Sequence, residues 1–451
     1  MGSHNKKNEV LRWIESNQEQ LVELLRSMVK SKPVNGALSE TENEKEVQKI
    51  VGQVIQDMGL CVNSVPVDLS QLEAYRGMPG FVTGYTDQID FTERENVYTR
   101  IEGNNTGEKR SLMLVGHADV VPVENPEKWD YPPFEGQEAK GFLYGRGTVD
   151  MLGGIAGMLI AMKAIQENHV KLKGDIWFGS IVGEETGGTG MLAFSEFLRK
   201  EGIFADAAIM GEPTNLQLSL LCRGILWVDV EVYGKTGHLE VTQPHWSQGG
   251  VVSAIEKAFH LADAIEELNK DWESRPDKNH ELLRLPCQAK LSKIQGGHHH
   301  SSYPDRCVLS YNLQVLPHET DENGLGTVTK REFEEYIAKV AASDPWMREH
   351  PPKVTWILEA NCGEVPREHP FVDAFMRTAK EITPEITLTG SEFHTDNEWP
   401  QKLAGIPTVN FGPGNPALAH NDNERCSIWQ LVEYTKIIAC QCMDWCGYEE
   451  E

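Results

Sequence analysis

Over roughly the first 65 residues, apolar positions recur at spacings of three and four. They are Leu11, Ile14, Leu21, Leu24, Leu25 and Met28, and the pattern repeats across 47–58. That period puts them on one face, so the chain is expected to open with helices. Residues 66–95 lose the period and carry Gly77, Pro79, Gly80 and Gly84, which predicts a long loop. Short apolar runs follow, each ending in reactive side chains. The run 111–116 leads into His117 and Asp119, 175–182 into Glu184 and Glu185, and 207–210 into Glu212. Just after Asp150, Ile155, Met158, Leu159, Met162 and Ile165 trace a helix face. Strand, helix, strand, helix, strand predicts an α/β fold with a mainly parallel sheet. Such sheets bind ligands beyond their C-terminal strand ends, which is where the acids and histidines fall.

From about Arg223 the texture changes. Residues 227–233 and 307–315 alternate apolar with polar, as half-buried strands do. Helical patterns at 249–267 and 330–342 lie between, and 354–358 reads as a last strand. Beyond this, 406–411 reads as a buried strand and 428–446 as a closing helix. The expected organisation is a discontinuous catalytic domain, 1–222 with 360–451, interrupted by an α/β-sandwich domain at 223–359. No internal repeat is visible.

A length of 451 residues suits two or three domains. Lys and Arg number 42 against 68 Asp and Glu, a net charge of −26 that repels phosphate backbones, so nucleic acid is not an expected partner. No apolar run reaches the roughly 18–20 residues of a membrane span. The polar start has no apolar stretch behind it, so no secretory signal is expected. The nine cysteines are odd in number and scattered, unlike a disulfide framework, and imply a reducing, cytoplasmic compartment.

Taken one at a time, the candidate groups are unremarkable. Asp150 could merely cap the helix that follows. Glu184-Glu185 could be a solvated acidic turn, and His420 a surface residue. Together they offer imidazole and carboxylate ligands suited to zinc or a neighbouring first-row metal, with one Glu to spare. A spare carboxylate is what hydrolysis needs to take a proton from water and pass it to a leaving amine.

Five segments then match a known pattern in order: Gly-His-Ala-Asp-Val-Val-Pro at 116–122, Gly-Arg-Gly-Thr-Val-Asp at 145–150, Gly-Glu-Glu-Thr-Gly at 183–187, Gly-Glu-Pro at 211–213, and Ala419-His420. The chain resembles the dinuclear-zinc amidohydrolases, the family of carboxypeptidase G, aminoacylase, acetylornithine deacetylase and succinyl-diaminopimelate desuccinylase. The resemblance implies that Asp150 bridges two divalent metal ions, zinc foremost, with cobalt or manganese as alternatives. His117 and Glu212 would hold one ion, and Glu185 and His420 the other. Glu184 would be the general base and Asp119 would orient His117. It also implies that the inserted domain serves as lid and dimerisation unit. In a homodimer, His238, within Gly-Lys-Thr-Gly-His at 234–238, would stabilise the oxyanion in the partner's site. The expected reaction is hydrolysis of a linear amide C–N bond, such as that of an N-acyl amino acid, by water activated at the metal pair.

Several positions depart from the pattern. In the family's Gly-Gly…Asn…Pro-Asp segment, Ser301 stands where the substrate-contacting Asn is usual. Gln314 occupies the region where many members place an Arg, and a neutral amide cannot form a bidentate ion pair with a carboxylate. Arg223 is a candidate replacement cation. Glu392 and His394, in the stretch aligned with a glycine-rich substrate loop, are candidates for specificity. His298, His299 and His300 read as an exposed loop, and Cys440, Cys442 and Cys446 as buried thiols. These departures keep open a dipeptidase or carboxypeptidase, a carbamoyl-amide hydrolase, or an aminohydrolase of a non-amino-acid substrate. A catalytically dead binding homologue is disfavoured, because all seven site positions are present.

Overall fold

The computed structural model describes residues 6–39, 43–104 and 110–449. The first five residues, part of the polar start noted above, lie outside them. Three helices open the chain: α1 (Lys6–Ser16), α2 (Gln18–Lys30) and α3 (Lys45–Asp57). Between α3 and residue 95 stand only the short strand β1 (Asn63–Pro66) and two 3₁₀ turns, in keeping with the lost periodicity.

The central sheet is built on β2 (Glu95–Ile101), β3 (Leu112–His117), β6 (Ile176–Ile181), β7 (Ala207–Met210), β8 (Leu218–Cys222) and β15 (Thr408–Asn410). The small strands β4 (Gln137–Ala139), β5 (Phe142–Tyr144) and β16 (Arg425–Ser427) form a separate three-stranded sheet. In the central sheet the order is β1-β2-β6-β3-β7-β15-β8-β13, with β13 (Gly363–Glu364) at the end and β14 (Leu388–Ser391) pairing with β8. The pairs β6–β3, β3–β7 and β7–β15 are parallel, whereas β1 and β2 are antiparallel additions at one edge.

Burial on both faces explains the run of apolar residues in β3. Leu112 and Leu114 face the core beneath α1–α3, α4 (Leu152–Glu167), α9 (Pro370–Ile382) and α11 (Ile428–Cys446). Met113 and Val115 face a second core beneath α5 (Thr189–Glu201) and α10 (Glu398–Ala404). The period in α4 predicts one buried face, yet nearly the whole helix is buried. It is sandwiched between β3 and the helices α1, α2 and α11, and its glycines and alanines let them approach from every side. Gly154 shows why: a Cβ there would lie 2.2 Å from the Gly211 carbonyl oxygen, beside the strand end that carries Glu212.

Residues 224–360 carry a four-stranded antiparallel sheet with its own core. Its order is β10-β11-β9-β12, from β9 (Gly224–Tyr233), β10 (Ala289–Gly296), β11 (Arg306–Val315) and β12 (Lys353–Ala360). Both alternating stretches are strands, with Leu226, Val228, Val230 and Val232 inward on β9 and Cys307, Leu309, Tyr311 and Leu313 inward on β11. They pack under α6 (Ala254–Ser274) and α7 (Thr327–Ser343), while the short α8 (Pro345–Glu349) follows α7. The fold is thus α/β with a mainly parallel central sheet. Among the described residues no helix is long and apolar enough to cross a membrane.

Candidate active site

Register brings the strand ends together. His117 pairs with Ile181 of β6, and Val115 with Met210 of β7, so the residues just beyond those strands emerge along one edge of the sheet. Gly183, at φ 77°, adopts the left-handed conformation that turns the chain out of β6 and delivers Glu184 and Glu185. Met151, not Asp150, stands at the N-cap of α4, which leaves the Asp150 carboxylate free to face the site.

Each Asp150 oxygen meets a different imidazole: Oδ1 lies 3.1 Å from His117 Nε2, and Oδ2 3.3 Å from His420 Nε2. Glu212 Oε1 is 3.6 Å from His117 Nε2, and Glu185 Oε1 is 3.2 Å from His420 Nε2. Two triads result, His117/Asp150/Glu212 and Asp150/Glu185/His420, each with ligand atoms within 4.8 Å of one another, and they share Asp150. Glu184 belongs to neither of these two; it forms further groups of the same kind with His117 and Glu185 and with His394 and Asp396, and its Oε2 lies 4.0 Å from His117 Nε2.

Electrostatics show what this cluster lacks. Burial pushes Glu184 and Glu212 well above the ordinary carboxylate range, and raises Glu185. Burial works against the His117 cation, but Glu212, Asp150 and Glu184 together hold its pKa well above the usual value. The Glu185 charge, with Asp150 beside it, pushes His420 up to about 11. Asp150, although buried, is drawn far below its usual value by hydrogen bonds to both histidines. Four carboxylates therefore share two imidazoles, an excess of negative charge that divalent cations would neutralise. Mixed N and O donors in two triads joined by one carboxylate fit a pair of such ions.

Asp119 is fully buried, and its carboxylate faces the His117 ring without a hydrogen bond to it. His117 Nδ1 meets the Asp119 main-chain carbonyl at 3.0 Å and lies 3.7 Å from Oδ1. The carboxylate instead accepts the backbone N–H groups of Glu184 (3.2 Å) and Glu185 (3.0 Å), together with Asn35 Nδ2 (2.6 Å). Glu424, also fully buried, accepts the N–H groups of Val149 (2.9 Å) and Asp150 (3.2 Å) and pairs with Arg146 at 2.7 Å.

A cavity of about 550 Å³ opens onto the cluster. Leu38, Tyr85, Ile225, Trp227 and Phe393 give it apolar walls, and Asn312, Gln314, Glu392 and His394 add polar groups. Gln314 and Glu392 thus line the cavity. His394 Nδ1 lies 2.9 Å from the Asn361 carbonyl, and its Nε2 lies 4.0 Å from Glu184 and 3.6 Å from Asp396. Among the described residues no Lys or Arg lines this cavity. Arg223 is buried behind it, donating to Gln314 Oε1 at 3.1 Å and to the Leu285 carbonyl. Its two terminal nitrogens are thus held by protein acceptors, and Arg223 is not among the residues that line the cavity.

Ser301 and His238 lie elsewhere, on adjoining loops joined by the Leu239 N–H to Ser301 carbonyl bond (2.8 Å). Ser301 Oγ lies 2.9 Å from His299 Nδ1, and His238, His298, His299 and His300 are exposed. Three residues have no local signal in the sequence. Asn35 and Glu424 reach the site through long-range hydrogen bonds, and Asp396 is a buried acid whose oxygens make no hydrogen bond, with His394 Nε2 at 3.6 Å from Oδ1.

Comparison with known proteins agrees with this architecture. A family model described as peptidase family M20/M25/M40 matches residues 113–443. A protein of Halalkalibacterium halodurans named N-formyl-4-amino-5-aminomethyl-2-methylpyrimidine deformylase is 34% identical over 369 residues, covering 78% of this chain and 83% of its own. The identically named protein of Bacillus subtilis is 31% identical over 399 residues, covering 83% and 90%. Among solved structures, the di-peptidase Dug1p of Saccharomyces cerevisiae superposes with a TM-score of 0.75 at 14% identity, covering 98% of this chain and 99% of its own. Human carnosine dipeptidase 1 does so with 0.70 at 16% identity and the same coverage. At such identities the structural matches establish a shared fold. On the family match and these relatives, the chain belongs to peptidase family M20/M25/M40 and is a metal-dependent hydrolase of amide bonds.

Proposed function

We propose that this protein is an N-formyl amine deformylase whose substrate carries the amine on an uncharged aromatic ring. The observation that carries this reading is the cavity. It joins an apolar, aromatic wall to the acid–histidine cluster and offers no Lys or Arg, among the described residues, to grip an α-carboxylate. Gln314 Oε1 already accepts from Arg223 and from the Gln288 N–H (both 3.1 Å), so only its amide NH₂ is left to meet a substrate. The names of the two bacterial relatives point the same way.

His117 and Glu212 would hold one divalent ion, Glu185 and His420 the second, and Asp150 both. Zinc suits these donors best, with cobalt or manganese able to replace it. When bound, the ions supply Lewis acidity toward the amide carbonyl and toward the attacking water. Glu184 takes the proton from that water and gives it to the departing nitrogen. The apolar walls orient the amine half and exclude bulk water. Substrate specificity falls to Asn312, Gln314, Glu392 and His394, polar groups that line the same cavity.

The reading extends to a homodimer built from a catalytic unit (1–222 with 360–451) and an inserted unit (223–359). The strand β10 is a sheet edge whose Leu291 and Ile294 are exposed, as are Leu239, Val241 and Phe259 elsewhere in the inserted unit. His238 is exposed and absent from its own chain's cavity, which suits a role as oxyanion donor in the partner's site and gives Ser301 a place beside it. All nine cysteines are free, with Cys61 alone exposed, which suits a reducing cytoplasm.

A substrate panel tests the proposal. N-formyl-4-amino-5-aminomethyl-2-methylpyrimidine, its N-acetyl analogue, an N-acetyl amino acid, an N-carbamoyl amino acid and a dipeptide would be assayed with zinc, cobalt and manganese. The formamide should lead in kcat/KM by about 100-fold or more. A faster dipeptide or N-acyl amino acid would overturn the assignment.

A further inference from the structure

Asn35 is remote in sequence from the acids and histidines, yet it is the point where their supporting loops meet. Its backbone is zipped to the end of β3: the Asn35 N–H donates to the Val120 carbonyl, and the Val120 N–H to that of Pro33, both at 3.0 Å. The side chain is fully buried. Its Oδ1 accepts from the Ala37 N–H (2.9 Å) and from Arg94 Nη2 (3.1 Å), two groups that can only donate. The amide can therefore stand in one orientation only. Its NH₂ must face Asp119 Oδ2 at 2.6 Å and Thr186 Oγ1 at 3.2 Å.

Arg94 is fixed in turn by Glu44, through Nε–Oε2 at 2.8 Å and Nη2–Oε1 at 2.5 Å, with both side chains buried. A bidentate pair of this kind holds a guanidinium in one plane. The chain of contacts runs from Glu44 through Arg94 and Asn35 to Asp119. From there it reaches the Glu184 and Glu185 amides, the two peptide groups that carry the base and a ligand. Asp119 has no other side-chain hydrogen-bond donor, among the described residues, than Asn35.

We infer that Asn35 is a positioning residue for turnover. Through Asp119 it fixes the Glu184–Glu185 peptide, so that the base and the ligand keep their relative placement. The inference rests on the roles proposed above for those two residues. A displacement of tenths of an ångström at Asp119 passes directly to the Glu184 backbone, and reaction rates depend steeply on such placement. Substrate binding depends on the cavity walls, which do not include Asn35; its main-chain carbonyl holds the N–H of the lining residue Leu38 at 2.8 Å, a bond that a side-chain substitution leaves in place.

The test uses Asn35→Ala and Asn35→Asp in the full chain. It measures kcat and KM on the best substrate of the panel, with kcat normalised to bound metal. Asn35→Ala should lose about 10- to 100-fold in kcat, with KM within about threefold of wild type and metal content unchanged. Asn35→Asp, nearly isosteric, replaces the donor by an acceptor against Asp119 Oδ2 and should be slower still. A kcat per bound metal pair within threefold of wild type in Asn35→Ala overturns the inference. If Asn35→Ala yields no folded chain, Asn35→Asp is judged by the same criterion, and failure of both to fold also overturns it by making Asn35 a folding residue. The underlying reading fails differently, through a wild-type enzyme without bound metal or a Glu184→Gln variant with full activity.

Discussion

Glu424→Gln separates the electrostatic support of the site from the ligands themselves. Glu424 is fully buried, with Oε1 accepting two backbone N–H groups and Oε2 facing Arg146, whose side chain is also buried. In the amide variant the oxygen can keep the Val149 and Asp150 bonds, each worth about 1 kcal/mol. The new NH₂ must then oppose the Arg146 guanidinium, which is left charged and without a carboxylate, with only the Asn421 carbonyl (3.4 Å) and the Trp129 ring beside it. Breaking a buried pair from one side costs about 3–5 kcal/mol, and this should appear in urea unfolding of the metal-free chain. Relieving that opposition by turning the amide gives up the Asp150 N–H bond, and loss of such a supporting contact typically weakens metal binding by about 10- to 100-fold, or 1.4–2.7 kcal/mol. Competition against a fluorescent chelator measures that change. The double variant Arg146→Met/Glu424→Met removes both charges and should regain most of the folding stability. It should not regain metal affinity, because the Asp150 amide has lost its acceptor. Wild-type unfolding and metal affinity within threefold in Glu424→Gln would refute the reasoning.

Three further outcomes follow from the same structure. Glu184→Gln should keep its metal and lose about 100- to 10,000-fold in kcat, and a smaller loss would remove Glu184 as the base. If His238 serves the partner's site, His238→Ala and Glu184→Gln chains, each nearly inactive alone, should regain activity when co-expressed, because a mixed dimer contains one intact site; no gain over either variant would refute the exchange. Burial pushes Glu398 up to about 8, so folding favours its protonated form. Its contribution is complete below the unfolded carboxylate range near 4.5 and is lost as pH rises through about 8. Thermal unfolding of the metal-free chain should therefore show Glu398→Gln gaining on wild type between about pH 5 and 8, and parallel curves would contradict this.

The fold was legible where periodicity and burial agree. β9 and β11 alternate because one face meets α6 and α7, and the runs before His117, Glu184 and Glu212 are continuously apolar because both faces of the sheet are covered. The pattern in α4 was legible only in part, since a helix buried all round hides its period behind glycine and alanine. Strands β13 and β14 gave no signal, being two and four residues long and held by pairing to β8. The acids and histidines of the cluster stood out because strand ends concentrated them. Asn35 and Glu424 did not, because a buried amide or carboxylate that holds backbone groups has no sequence spacing to betray it. Arg223 and Gln314 show the opposite limit: their chemistry was readable, but their mutual hydrogen bond, which engages the guanidinium within the protein, is a property of packing.

The claim beneath all of this is that Asp150 joins two metal sites. Elemental analysis of metal-saturated, desalted protein tests it most directly, comparing wild type with Asp150→Ala. The account predicts about two zinc ions per wild-type chain and at most about one, weakly held, in the variant. A wild-type chain that saturates with one ion, or a variant that keeps two with unchanged affinity, would contradict it.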